Sequence, residues 1–521
     1  MPQSVSRRRF VTGLSLAGLG LLAAACAPAP APTPTPAPAK PAEAPKPAAQ
    51  PTPTPAPAKP AQPAQPTPTP AAAAKPVEVA KPVAGVNFPP IKKTVSGKVV
   101  WLVRSTPQEN KGQEEIFEPM IKQQLPNVQI ERIIVPGAQY IPKINAMAAA
   151  NQSLEIWGFG GNYYDYWWRG LPQDLTPYIK ADQWDVENYF QPGLMDIYKI
   201  RGKYYGISQL TTFGSIMVYN KNLFDQAGLE YPPVDWEDES WTMEKMLDLA
   251  MKLTKNYGKP DGQYGVRMQL WAQMTSYPYL WGGDAWLPEH YTNFIAPKTN
   301  FNSPEVIDSH QFRQDLIFKY KVNPDPAIDQ GLTQLAAPFK TGRVAMEMDG
   351  GWLFWTTSDI KDFKIGYAAL PRAKTNKNIN FNDFWIMGRW SQNKDAAWEV
   401  MKVLTSVEAT TKYSLHSGTP PTPRASLDAW LKRVSEYTGQ SIEDLRKLTT
   451  GAIKKERSQE SPDHIFLQHP KIWDTYSQEI QPLWQSNART AKDLITQVVA
   501  KRMDEVVNGI YNQFKDTMPK D

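Results

Sequence analysis

Glu347 and Asp349, in the stretch Val344-Ala-Met-Glu-Met-Asp-Gly-Gly351, are the one carboxylate pair that invites a general acid and base reading. Their period-two spacing puts both on one side of a strand. Cleaving a glycosidic bond requires carboxylates that flank it, so the pair reads as structural or solute-binding, not catalytic. His464 and His469 have a spacing that a metal can bridge, but Pro470 and the lack of further ligands favour an exposed loop pair. Cys26 is the sole cysteine, which leaves no internal disulfide, no thiolate cluster and no core cysteine nucleophile. The glycines of Gly158–Gly170 match neither a P-loop nor a dinucleotide fingerprint. No catalytic residue, metal or cofactor is expected.

The residue types that remain suit recognition of a polar, partly apolar solute. All 18 tryptophans lie beyond residue 100, and many follow a glycine or end an apolar run. An indole ring can stack on the CH face of a sugar while polar side chains take the hydroxyls. Trp281, before Gly282-Gly283, is balanced between ligand and core. Asn162, Tyr163 and Asp165 carry donors and acceptors suited to hydroxyls, whereas Tyr166, Trp167 and Trp168 read as a packing cluster. Asp383 reads equally as a ligand contact or a hinge residue.

The elements that must position these groups alternate between strand and helix. Gly97–Arg104 reads as a buried strand, Val128–Val135 and Leu154–Phe159 as a second and a third strand, and Glu114–Leu125 and Tyr140–Ala150 as helices between them. Such alternation implies a parallel sheet with right-handed crossovers. Ligands collect at the carboxyl ends of strands in these sheets. Those ends here are Arg104-Ser105 and Gly160–Tyr163. A helix with Ser240 as N-cap is expected over Ser240–Lys255.

Ahead of the folded part, Arg7-Arg8-Arg9-Phe10 and the apolar run Val11–Ala25 form a leader, which resembles a twin-arginine export signal; an ordinary secretory leader is the alternative. Leu22-Ala-Ala-Ala-Cys26 resembles a bacterial lipobox, with Ala23 where that motif usually has leucine. Lipid on Cys26 would anchor the chain to the outer face of the cell membrane. The Ala/Pro-rich tract that follows favours extended polyproline II and reads as a disordered tether over residues 27–94. Ten of the 57 Lys/Arg and two of the 52 Asp/Glu fall in residues 1–93, leaving 47 basic against 50 acidic groups beyond. A nucleic-acid partner, which demands a basic surface, is not expected.

Four segments in order carry a family resemblance: "RGKYYGISQLTTFGSIMVYNKNLFDQAGLEYPP" with "SWTMEKMLDLAMKLT", then "FKTGRVAMEMDGGWLFW", "FKIGYAALPRA" and "DFWIMGRWSQNKDAAWEVMKVLTS". They are similar to bacterial extracellular solute-binding proteins of ABC importers, in the sugar-binding family that includes maltose-binding protein. The resemblance runs from about Gly97 to Leu427. It implies an α/β fold of the type II periplasmic-binding-protein kind, with two lobes around a hinge and ligand cleft. Residues 95–210 and 386–430 would form one lobe, and 215–380 and 440–515 the other. It further implies a monomer that carries a mono- or oligosaccharide to ABC permease subunits. The expected solute contacts are Arg104, Asn162, Tyr163, Asp165, Phe213, Trp281, Trp352, Asp383 and Trp484. Trp352 stands where the family puts a sugar-stacking tryptophan, Trp484 near a C-terminal cleft position, and Phe213 where relatives place a polar residue. Alternative readings are a peptide, polyamine or polyol carrier, or a surface enzyme acting on polysaccharide.

Overall fold

The computed structural model describes residues 87–158, 163–454 and 469–519. The leader, Cys26, most of the proline-rich tract, Asn162 and His464 lie outside the described residues.

Two sheets organise the chain. The strands, in order, are β1 (Gly97–Arg104), β2 (Val128–Val135), β3 (Ile156–Trp157), the short hairpin β4 (Lys199–Ile200) and β5 (Lys203–Tyr204), β6 (Ile207–Thr211), β7 (Ser215–Asn220), β8 (Tyr264–Met268), β9 (Val344–Gly350), β10 (Ile365–Ala368) and β11 (Asn382–Met387). One sheet runs β2-β1-β3-β11-β6 and the other β10-β7-β9-β8. β1 pairs in parallel with β2 and β3, as alternation with helices requires. β11 closes that sheet antiparallel to both β3 and β6. In the second sheet β9 is antiparallel to β7 and parallel to β8.

β1 and β2 begin and end where the apolar runs do. The first helical segment is broken instead, with an α-turn over Pro107–Gly112, a π-helical stretch Gln113–Phe117 and an α-helix Glu118–Gln124. The later helix spans Met243–Leu253, and its N-cap is Thr242, whose side chain accepts from the Lys245 N–H, not Ser240. Packing against the second sheet sets that start: Met243, Met246, Leu249, Ala250 and Leu253 are buried along one stripe.

The packed chain begins ahead of residue 95. Phe88 lies against Trp184 and Tyr189, with ring centroids 5.4 and 5.3 Å apart. The Lys92 N–H donates to Glu399, and the buried Lys402 ammonium sits 2.8 Å from Asp182 and 2.9 Å from Glu399. Of the C-terminal segments, the helices Leu427–Thr438 and Ile442–Lys454 pack in the core of the second sheet. The His469–Gln485 and Ala500–Phe514 helices pack against the helix Pro304–Phe318 and the segment before it, where His310 meets Tyr476 and the Thr299 N–H donates to Asp504, and they also reach the first sheet's half. Trp168 makes that link, stacking edge-on against Phe514 and donating to the Thr517 hydroxyl at 3.1 Å.

Two strand-to-strand passages connect the sheets side by side: Thr211–Ser215 between β6 and β7, and Asn376–Asn382 leading into β11. Asparagines alternate along the second passage, at 376, 378, 380 and 382, which puts four amides on one side. Asn378 accepts from the Ser215 N–H at 3.0 Å and donates to the Ser215 carbonyl at 3.1 Å. The Thr211 hydroxyl donates to Asn380, and Ser208 donates to Asn382. An amide carries both donor and acceptor, so these side chains replace the ladder bonds that are lost where the chain leaves each sheet. Gly214, at φ 81°, lets the first passage turn; a Cβ there would lie 2.3 Å from the Asn378 amide nitrogen.

Candidate functional site

Three aromatic rings from separate elements meet beside these passages. Trp271 opens a short 3₁₀ turn after β8, Trp352 follows the Gly350-Gly351 end of β9, and Phe381 lies on the asparagine-rich passage. Ring centroids are 4.9 Å apart for Trp271–Trp352, 5.1 Å for Trp271–Phe381 and 5.4 Å for Trp352–Phe381. All three side chains are half-buried, so each keeps some surface exposed.

Asp349 fixes the two indoles. The Trp271 N–H donates to its carboxylate at 2.7 Å, Trp352 hydrogen-bonds the same side chain, and the Gly350 N–H donates at 2.8 Å. Burial, then the nearby Glu347 charge, push the Asp349 pKa up to about 7 against the pull of these donors. Glu347, one strand position pair away, is held by Arg267 at 2.8 Å and by the Gln269 amide at 2.8 Å. Both carboxylates do lie on one side of β9. Each already serves a neighbour, one as an ion-pair partner and the other as an indole clamp.

On the first sheet, Arg104 ends β1 and hydrogen-bonds Glu109. Arg104, Glu109 and Asp383 all act electrostatically on the buried Tyr140 hydroxyl, which bonds to Leu102 and Gly158 at the strand ends. Asp383 sits at a bulge in the β11–β6 pairing, between Asp383 and Phe384. A bulge re-aims the local side chain, and Asp383 is left half-buried rather than in the core.

Four expected contacts are taken up by packing. Tyr163 is fully buried, donates to the Tyr198 carbonyl at 3.0 Å and packs on Phe384. Its helix, Tyr163–Trp168, buries all six of its side chains, so it has no free face to offer a solute. Asp165 is 4% exposed and pairs with Arg169 at 2.9 Å. Phe213 takes a left-handed backbone at φ 56° and packs against Trp430 in the second core. Trp281 lies against Phe312, also in that core. Trp484 is buried too, but it lines a cavity of about 390 Å³ that Gln269 and Leu270, the residues just before Trp271, also line.

Trp271 and Phe381 were not among the contacts expected from the sequence. Phe381 sits between Asn380 and Asn382, and Trp271 comes three residues after the end of the buried strand β8, which are the signals that mark them. Among the described residues, no group of three or more His, Cys, Asp or Glu side chains could hold a metal ion. No helix among them is long and apolar enough to cross a membrane.

A profile of the family "Bacterial extracellular solute-binding protein" matches residues 110–411, and the chain belongs to that family. A Brucella abortus protein named as a binding protein is 23% identical over 315 residues, covering 57% of this chain and 69% of its own. The mannitol-binding protein of Pseudomonas aeruginosa is 25% identical over 224 residues, 40% of this chain and 46% of that one. Among solved structures, a Listeria monocytogenes ABC substrate-binding protein in complex with cycloalternan superposes with a TM-score of 0.65 at 21% identity, covering 80% of this chain and 99% of that chain. Maltose-bound MalE3 of T. maritima gives 0.60 at 18% identity, covering 79% and 99%. The fold is thus that of the type II periplasmic binding proteins.

Proposed function

We propose that this solute-binding protein captures a carbohydrate between its two sheets and delivers it to the membrane subunits of an ABC importer. The observation that carries the reading is the Trp271–Trp352–Phe381 group, clamped by Asp349 and set against the passages that join the sheets. Rings held in this way offer apolar faces to sugar CH groups, and Arg104 and Asp383 of the other sheet would take hydroxyls. The two halves are lobes that close over the solute by bending at Thr211–Ser215 and Asn376–Asn382. Solute favours the closed form to the extent that it touches both lobes at once. The relatives point the same way: cycloalternan, maltose and mannitol are ligands of theirs.

No reaction is part of this proposal, because Glu347 and Asp349 share one strand and are both engaged. The chain acts as a monomer outside the cytoplasm, exported by its arginine-marked leader and tethered through lipid on Cys26; mass spectrometry of the mature N-terminus tests that anchor. Calorimetric titration of the full chain with neutral sugars and polyols tests the main reading. Saturable binding without consumption of the sugar supports it. Product formation, or no binding across the panel, overturns it.

A further inference from the structure

The 390 Å³ cavity is lined by a buried arginine outside any salt bridge. Two arginines line it. Arg267 is neutralised: it makes a two-pronged contact with Asp329 and a third bond to Glu347. Arg313, from the helix Pro304–Phe318, is only 8% exposed and has no carboxylate partner among the described residues. Its Nε donates to the Met268 carbonyl at 3.2 Å, and its guanidinium lies 4.4 Å above the Trp484 ring. One terminal nitrogen, Nη1, is buried with no hydrogen-bond partner at all. Burial pulls its pKa down to about 10, which leaves it charged at neutral pH.

A buried guanidinium with no ion-pair contact of its own is unusual, since such groups are ordinarily paired directly; Asp329, on the same wall, acts on it only from a distance. Its planar donors match an oxyanion in particular. The rest of the wall is what a sugar ring would require. Gln269, Gln330 and Gln481 supply amides for hydroxyls, and Trp484 supplies an aromatic edge. The volume falls in the range of small-molecule sites. The wall also runs into the aromatic group, because Gln269 and Leu270 immediately precede Trp271.

We propose that this cavity receives an oxyanion carried by the solute, with Arg313 as its counter-charge, so that the protein selects an acidic sugar over its neutral parent. The proposal rests on the carbohydrate reading above and sharpens it to a substrate class. Carboxylate and phosphate share the chemistry that Arg313 recognises, and the experiment separates them.

The test is calorimetry on the full chain with hexuronates, hexose 6-phosphates and the parent hexoses, in wild type and in Arg313→Gln. The expected result is that at least one acidic sugar binds tenfold or more tightly than its parent, and that Arg313→Gln removes this preference. Preference for the uronate identifies a carboxylate, and preference for the 6-phosphate a phosphate. Arg313→Lys, which keeps the charge and loses the planar fork, should retain part of the preference; this variant also serves if Arg313→Gln does not fold. Equal binding of acidic and neutral sugars overturns the proposal while leaving the carbohydrate reading intact. An acidic preference unchanged in Arg313→Gln overturns the assignment to this cavity. Absence of binding by every sugar, neutral and acidic, overturns both.

Discussion

Gly351→Ala should damage stability and solute capture together, because this glycine is where β9 presses on the passage between the sheets. A Cβ at Gly351 would lie 1.6 Å from the Thr212 carbonyl oxygen and 2.9 Å from that of Gly214. Real Cβ atoms essentially never come within 3.0 Å of such a neighbour, so the two backbones must separate by more than an ångström. That separation breaks the bond from the Gly351 N–H to the Gly214 carbonyl, 2.6 Å long. Leaving a buried backbone donor unpaired costs about 1–3 kcal/mol. Forcing an extra carbon into packed surroundings adds about 1–3 kcal/mol. The expected loss is therefore roughly 2–6 kcal/mol, measured by urea unfolding followed by tryptophan fluorescence. Trp352 is the next residue and must move with the strand end, so sugar affinity should fall even where the variant is folded. Stability within about 0.5 kcal/mol of wild type, the range of an uneventful surface change, would refute the argument that this contact is closed to any side chain.

Lys402→Met should destabilise the first sheet's half by about 3–5 kcal/mol, since it leaves the buried Glu399 carboxylate without its ion-pair partner and Asp182 with only the more distant Lys92 at 3.4 Å; chemical denaturation measures it. Asp349 carries a pKa raised by burial and by Glu347 to about 7, above its unfolded value of 3.8. Its contribution is therefore complete below about pH 4 and is lost as the pH rises through about 7. Urea midpoints should fall between pH 5 and pH 8, and Asp349→Asn should flatten that fall. A slope unchanged in the variant would assign it to other groups.

The strands were the most legible part of the sequence. β1 and β2 are short and rich in β-branched residues, so composition alone marks their bounds, although only β1 is largely buried and β2 is the sheet's partly exposed edge. The helix start at Thr242 was less legible, because Ser240 and Thr242 are both capping residues and tertiary packing chose between them. In the site, Trp352 was marked by the glycines before it. Its partners Trp271 and Phe381 come from segments 81 and 29 residues away, and only the folding of β8, β9 and the asparagine passage brings them together. Tyr163, Asp165, Phe213 and Trp281 have the chemistry of contacts but lie on elements buried on every side. Residue type carries no information about that burial. Arg313 likewise gives no local sign of lacking a direct ion-pair partner, because the missing partner is a property of the surrounding cavity.

The most direct test of the account is a sugar titration of the full chain beside its Trp352→Ala variant, with the sugar recovered and analysed afterwards. One face of the indole covers about 60–80 Å² of a sugar, which at ~25 cal/mol per Å² amounts to about 1.5–2 kcal/mol. Intact sugar is expected in both cases, with a Kd raised roughly tenfold to thirtyfold by the substitution. Unchanged affinity in a folded Trp352→Ala variant, or cleaved sugar in the wild type, would contradict it.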